Sequence, residues 1–460
     1  MFIWFSWMDY PSSLGATFIH SHKLHTNNFW LWLKENYPLI SLLLRSTLFL
    51  FTVGPFYNWD TNIEFQAATG VLQWGKPYLN FDNLINQPPI GFYIEAAFFK
   101  IFATDPTQQT AVTISTLFGI GCIFLLYKLG QSLYGKSTGL LAAALYALTP
   151  WQVVLSRSFL IDSPCLFFSL LYLLVGIWAI RKDSLKIVVL AGLFFGIALL
   201  TKAFAVFMLI PLALFYFYFH KIRLQKLAAS LFFLPASMFV LLWYQGLSGL
   251  GIIKFLLHDD FFTYNDQYFP SIFFVGNYLS TNLGLLFLIT VTLSVFLACA
   301  QQRLFAKTLR YDLICLLTVL VIAGFNTLLA VGLNLKVPYF SPFKYTFQLL
   351  PFLCLLAGSL VSKSRILLAS LKSKSSLFLF MLTCLGLAAL LVTMYRNMSS
   401  ILLYSSLDYL LFRVEGTVAY SFNNFVQIAP SSGFIYVQYA GFAIIASGLL
   451  WRLWGHLKFR

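Results

Sequence analysis

The chain has 460 residues, 60% hydrophobic and only 10% charged, with 50 phenylalanines and a mean hydropathy of +0.81. Soluble domains carry about 25% charged residues, so a soluble globular enzyme, a disordered chain and a collagen-like or coiled-coil chain are excluded, leaving a polytopic helical membrane protein. The net charge of +15 would suit nucleic acid, but in a membrane chain it reads as the basic bias of cytoplasmic loops, and no nucleic-acid partner is expected.

Residues 1–37 read as a short cytoplasmic arm without a cleavable signal, because Asp9, His20, Lys23 and Lys34 interrupt its apolar residues. Within it, Phe29 to Leu33 suits the membrane interface. Apolar runs then predict twelve spans, with a range of 11–13: 38–57, 108–129, 138–156, 163–180, 187–201, 203–219, 227–247, 276–300, 311–332, 344–362, 376–395 and 435–451. Residues 187–219 would make a single helix of about 50 Å at 1.5 Å per residue, too long for a bilayer. Two helices with a tight turn at Lys202 fit better. The six cysteines lie inside apolar runs with no CxxC spacing and read as small buried residues.

Residues 88–103 begin Pro88-Pro89, carry Glu95 and Lys100, and are short for a span. They read as an amphipathic helix lying on the membrane. With that choice one side receives 21 basic and four acidic residues, and the other nine basic and eleven acidic. Making 88–103 a span would destroy the asymmetry. The chain is therefore expected in the plasma membrane with both termini cytoplasmic.

The outer face then holds three notable loops, 58–107, 248–275 and 396–434. The first reads as two interfacial helices. Asp60 follows the first span, near lipid headgroups, and Glu64 lies four residues on. The structural alternative for Asp60 is an N-cap, and the same holds for Asp162 at the start of a span, with Arg157 as a pairing partner. Lys202 and Lys344 read as snorkelling helix-end cations. His258-Asp259-Asp260 reads as a solvated loop, since no second His or Cys lies at ligand spacing. Together the outward carboxylates (Asp60, Glu64, Asp82, Asp162) and cations suit general-base chemistry beside an anionic leaving group. A transporter or flippase of lipid-linked sugars is the rival reading. It would more often show ionisable residues at midplane or two similar halves.

In order along the chain come Trp59-Asp60, "QWGKPYLNFDNLINQPPIGFYIEAAFFKIF", "LYGKSTGLLAAALYALTPWQVVLSRSFLIDSPCLFF", "AGLFFGIALLTK" and "PFKYTFQLLPFL". This order resembles polyprenyl-phosphate-sugar-dependent glycosyltransferases of the GT-C fold, nearest to the protein O-mannosyltransferases and lipid A aminoarabinose transferases. The resemblance implies an all-α membrane fold and transfer of a sugar, mannose-like foremost, to an acceptor hydroxyl with inversion. It implies that Asp60 is the catalytic base. It places Arg157, Asp162, Lys202, His258, Lys344 and Tyr345 at the substrate, with Lys344-Tyr345 near the lipid phosphate, while Glu64 and Asp82 join the substrate-binding candidates as carboxylates of the outer face. The partners implied are the lipid-phosphate sugar, a protein, lipid or glycan acceptor, and the bilayer. The organisation implied is an arm at 1–37, a catalytic module at 38–362 and C-terminal helices at 363–460. Two departures stand out. The family often has Asp-Glu where this chain has Asp60-Thr61, with Glu64 one helical turn on. The aminoarabinose transferases have Glu-Lys before Pro-Pro where this chain has Asn86-Gln87, so their metal-linked site is not expected. No cofactor is predicted, and a divalent-metal requirement stays open at this level.

Overall fold

The structure, a computed structural model, describes residues 59–80, 83–85, 87–102, 105–149, 158–219, 302–332 and 347–370, with isolated positions at 152, 155, 156 and 240. The expected spans at 38–57, 276–300, 376–395 and 435–451 lie outside the described residues, as does nearly all of that at 227–247.

Helix α1 (Trp59–Trp74) stops at Gly75, whose φ of +71° is cheap only for glycine and whose N–H reaches the Val71 carbonyl at 3.0 Å. A short antiparallel pair follows, β1 (Tyr78–Asn80) with β2 (Asn83–Leu84), in the register Tyr78 to Leu84. The helical reading of the first loop did not anticipate it. Helix α2 (Ile90–Ile101) starts directly after Pro88-Pro89 and has 12 residues. At 1.5 Å per residue that is about 18 Å, too short to cross a bilayer. The first loop is thus two helices, as expected, with a β-pair between them.

Helix α3 (Gln108–Tyr134) is capped by Thr107, whose hydroxyl accepts from the Thr110 N–H at 3.2 Å. One residue, Gly135 at φ +105°, joins it to α4 (Lys136–Leu148). Helix α4 ends short of the predicted 156 because Thr149 precedes Pro150 and takes extended angles. Helix α5 (Asp162–Lys182) has Asp162 in its first turn and Arg181 and Lys182 in its last, signs that complement its dipole. Helix α6 (Leu185–Thr201) ends where expected. Lys202 is extended (φ −155°, ψ 129°), and the chain continues as a 3-10 turn, Ala203–Met208, into α7 (Leu209–Phe219). The last described helices are α8 (Gln302–Gly332) and α9 (Leu349–Ser370). Helix α9 runs unbroken through position 362, where the catalytic module was expected to end.

The main core joins α3 to α9 around buried residues such as Tyr172, Phe195, Phe215 and Phe352. Helices α3 and α4 touch backbone to backbone: a Cβ on Gly139 would lie 2.6 Å from the Tyr127 carbonyl oxygen. A smaller cluster of Ala68, Phe99, Ala111, Ile114, Phe118 and Phe159 seats α1 and α2 on α3. Among the described residues three helices are long and apolar enough to cross a membrane: Thr110–Tyr134, Asp162–Lys182 and Thr308–Phe325. The protein is a mostly helical integral membrane protein.

Candidate active site

The site forms where α1, α2, the N-terminus of α5 and the C-terminus of α6 meet. Glycine governs the approach of α2. A Cβ on Gly91 would lie 2.8 Å from Cγ2 of Ile161 and 3.1 Å from Cγ2 of Thr201. Only a bare backbone lets α2 sit against both the residue before Asp162 and the residue before Lys202. Tyr93 anchors the same helix, its hydroxyl donating to the Gly75 carbonyl at 2.8 Å.

Asp162 and Lys202 are 40 residues apart and buried together. The Lys202 ammonium donates to both carboxylate oxygens of Asp162 at 2.7 Å, with side-chain exposures of 8% and 0%. Two sequence readings are corrected here. Asp162 does not cap α5, because the N-cap is Ile161 and no side-chain cap bond is made. Lys202 does not snorkel: its extended backbone, between the end of α6 and the 3-10 turn, turns the side chain inward to an anion. The ring of Phe347 lies with its centroid 6.0 Å from the ammonium, at the outer limit for a cation–π contact.

Glu64, read with the carboxylates of the outer face, is fully buried, and its Oε2 accepts the Ile161 N–H at 2.7 Å. That bond from a buried backbone N–H fixes the segment that leads into Asp162. Asp60 lies in the first turn of α1, one turn before Glu64; its side chain lies outside the described residues, as do Asp82, Arg157, His258, Lys344 and Tyr345. The structure therefore brings together Glu64, Asp162 and Lys202 from the expected set.

Four buried polar side chains were not among the expected site residues. Glu95 of α2 is fully buried, and among the described residues neither carboxyl oxygen has a hydrogen-bond partner. Burial, with Glu64 and then Asp162 nearby, holds its pKa well above the usual carboxyl range. Gln348, next to Phe347, is buried, and among the described residues both its amide atoms lack a partner. At the other end of the bundle, the Lys363 ammonium meets Asp312 of α8, both buried. Lys363 had been counted as a loop charge. The signal for Glu95 was available: it shares a helical stripe with Gly91, Phe92, Ala96 and Phe99, all buried.

A profile of the dolichyl-phosphate-mannose-protein mannosyltransferase family matches residues 86–245, which include Glu95, Asp162 and Lys202. YycA of Bacillus subtilis, assigned as a mannosyltransferase, is 30% identical over 159 residues, 34% of this chain and 23% of YycA. YkcB of the same organism, assigned likewise, is 27% identical over 187 residues, 39% of this chain and 25% of YkcB. The matched stretch thus spans about a quarter of either relative. Among solved structures, ArnT from Cupriavidus metallidurans bound to undecaprenyl phosphate superposes with a TM-score of 0.52 at 14% identity, covering 92% of this chain and 77% of that one. The apo Archaeoglobus fulgidus oligosaccharyltransferase gives 0.54 at 14% identity, covering 87% and 61%. The chain has the GT-C fold. The resemblance to the O-mannosyltransferases and to ArnT, read first from scattered motifs, is borne out.

Proposed function

We propose that the protein is a membrane glycosyltransferase that moves a sugar, a mannose-like hexose foremost, from a polyprenyl or dolichyl phosphate to an acceptor hydroxyl on the outer face. One observation carries the reading. A GT-C fold, shared with a protein solved with undecaprenyl phosphate, here surrounds a buried Asp162–Lys202 pair one segment away from the first turn of α1, which bears Asp60. The catalytic module is taken to begin at residue 38 and, since α9 is continuous, to reach at least Ser370.

In this mechanism Asp60 accepts the proton of the acceptor hydroxyl. The oxygen bonds to the anomeric carbon from the side opposite the phosphate, the bond from that carbon to the phosphate oxygen breaks, and configuration inverts. The lipid phosphate leaves as an anion, so no protein acid is needed, unlike glycoside hydrolysis. Cations supply most of the barrier lowering by meeting that anion. Lys202, Arg157 and Lys344, with Tyr345, are the groups assigned to it. Asp82 and His258 are assigned to the sugar or acceptor.

The test uses membranes bearing wild type or Asp60→Asn, given labelled polyprenyl-phosphate mannose or glucose. Wild type transfers label to an acceptor. The variant loses transfer by at least about 100-fold, in line with removal of a general base, while inserting and unfolding as wild type does. Full activity in Asp60→Asn removes that residue from the chemistry. Absence of transfer from both donors by wild type overturns the glycosyltransferase reading.

A further inference from the structure

We propose that the end of the bundle opposite the Asp162–Lys202 pair holds one anionic phospholipid, with its phosphate on Arg310 of α8 and an acyl chain along the exposed face of the same helix. This site is separate from the candidate active site. Its frame is a cluster of rings where α3, α7 and α8 meet. Tyr311 packs edge-on against Tyr134, the last residue of α3, with 5.7 Å between ring centroids, and against Tyr218 of α7 with 5.8 Å. The Arg310 guanidinium lies 4.9 Å from the centroid of the Tyr218 ring, inside the range of a cation–π contact. Asp162 begins α5, and Arg181 in its last turn reaches Ser132 near the end of α3, so the ring cluster lies at the far end from Asp162.

The charge of Arg310 is not neutralised there. The side chain is exposed, and among the described residues it forms no ion pair. The acid two positions on, Asp312, is buried and bonded to Lys363. Stacking on a ring fixes the plane of a guanidinium and leaves its N–H edge to donate, and that edge matches two phosphate oxygens. Lys182 and Lys186, both exposed, add positive charge to the same end.

An apolar track starts at this cation. Leu313, Leu317 and Leu320 are exposed, and with Arg310 they follow i, i+3, i+7 and i+10, one face of a helix. Ten residues at 1.5 Å each advance about 15 Å. That is half of a hydrocarbon core about 30 Å thick, the depth of one leaflet. The cation therefore stands at the level of a lipid phosphate and the three leucines at the level of one acyl chain. Inorganic phosphate would use the guanidinium and leave the leucines bare. A zwitterionic lipid would cover the leucines but carry its own cation beside the phosphate.

The test offers full-length protein in detergent equal amounts of phosphatidylglycerol and phosphatidylcholine with matched chains, and counts retained lipids by native mass spectrometry. Wild type is expected to keep one phosphatidylglycerol in preference to phosphatidylcholine, and its unfolding midpoint to rise with the first lipid only. Arg310→Gln should lower that retention about fivefold, the scale of one basic residue against an anionic lipid surface. Its lipid-free midpoint should match wild type, because the side chain is exposed. Lys186→Gln removes an exposed cation of the same end and should keep the preference. Equal retention of the two lipids by wild type overturns the site, as does an Arg310→Gln protein that still prefers phosphatidylglycerol. Equal losses in Arg310→Gln and Lys186→Gln would show diffuse attraction to a basic end and overturn it as well. If inorganic phosphate or short-chain phosphatidylglycerol raises the wild-type midpoint as much as the long-chain lipid does, the leucine track is not part of the site and the lipid assignment falls.

Discussion

A buried ammonium beside a single carboxylate is stable only while both charges remain. Lys202 and Asp162 are in that position, and so the two single substitutions and the double substitution should not add. Lys202→Met leaves the Asp162 anion buried without its cation and should destabilise the protein by about 3–5 kcal/mol. Lys202→Met combined with Asp162→Asn removes both charges and should recover most of that loss. Reversible unfolding of the four proteins in detergent decides it. A double variant no more stable than Lys202→Met would mean that the pair is not what holds α5 to the end of α6. At this scale the sequence was informative about which residues matter and silent about how. Spacing placed Asp162 and Lys202 at helix ends, where capping and snorkelling are the usual roles. Their pairing, across 40 residues, depends on Lys202 being extended, which no local pattern signals. Four-residue spacing gave Asp60 and Glu64 one helix face but not the partner of that face, and Glu64 turns out to be buried against the Ile161 N–H.

At the scale of elements, glycine decides how closely the helices approach. Gly139 has α3 backbone against its open side, with the Tyr127 carbonyl oxygen and the Gln131 nitrogen each 2.6 Å from where a Cβ would sit. Backbone atoms inside a helix cannot step aside. Gly139→Val should therefore separate α3 from α4 and destabilise the protein by about 1–3 kcal/mol or more. Gly135 makes the contrast. Nothing lies within 4 Å of its missing Cβ, but its φ is +105°. Gly135→Ala should weaken the protein through backbone strain alone, by about 1–2 kcal/mol. Unfolding midpoints test both. If Gly139→Val matches wild type, the two helices are free to part and the close approach is not needed. Element ends followed the same logic of hidden context. The apolar runs located α3, α5 and α6 well. They mislocated the starts or ends of α4, α8 and α9, because proline at 150 stops a helix inside an apolar run and charged turns extend helices beyond one.

At the scale of the whole molecule, α5 acts as a ruler. Its 21 residues span about 30 Å, one hydrocarbon thickness. The Glu64, Glu95, Asp162 and Lys202 group lies at its first end. At its other end Arg181 donates to the Ser132 hydroxyl at 2.7 Å and to the Ser132 carbonyl at 2.8 Å, neutralising the last turn of α3. The excess of basic residues was assigned to that second end, so the charge asymmetry and the position of the site make one prediction together. Lys100 of α2 and Lys186 of α6 are both exposed and belong to opposite ends. The native cysteines at 122, 165, 315 and 354 are buried, which keeps labelling at introduced cysteines specific once Cys299 and Cys384 are changed to serine. In intact cells a membrane-impermeant maleimide should label Lys100→Cys, and should reach Lys186→Cys only after the membrane is opened. The reverse pattern would place the carboxylate-rich end in the cytoplasm. A lipid-linked sugar would then have to react before crossing the membrane, and the outer-face mechanism would have to be given up even if the transfer chemistry stood.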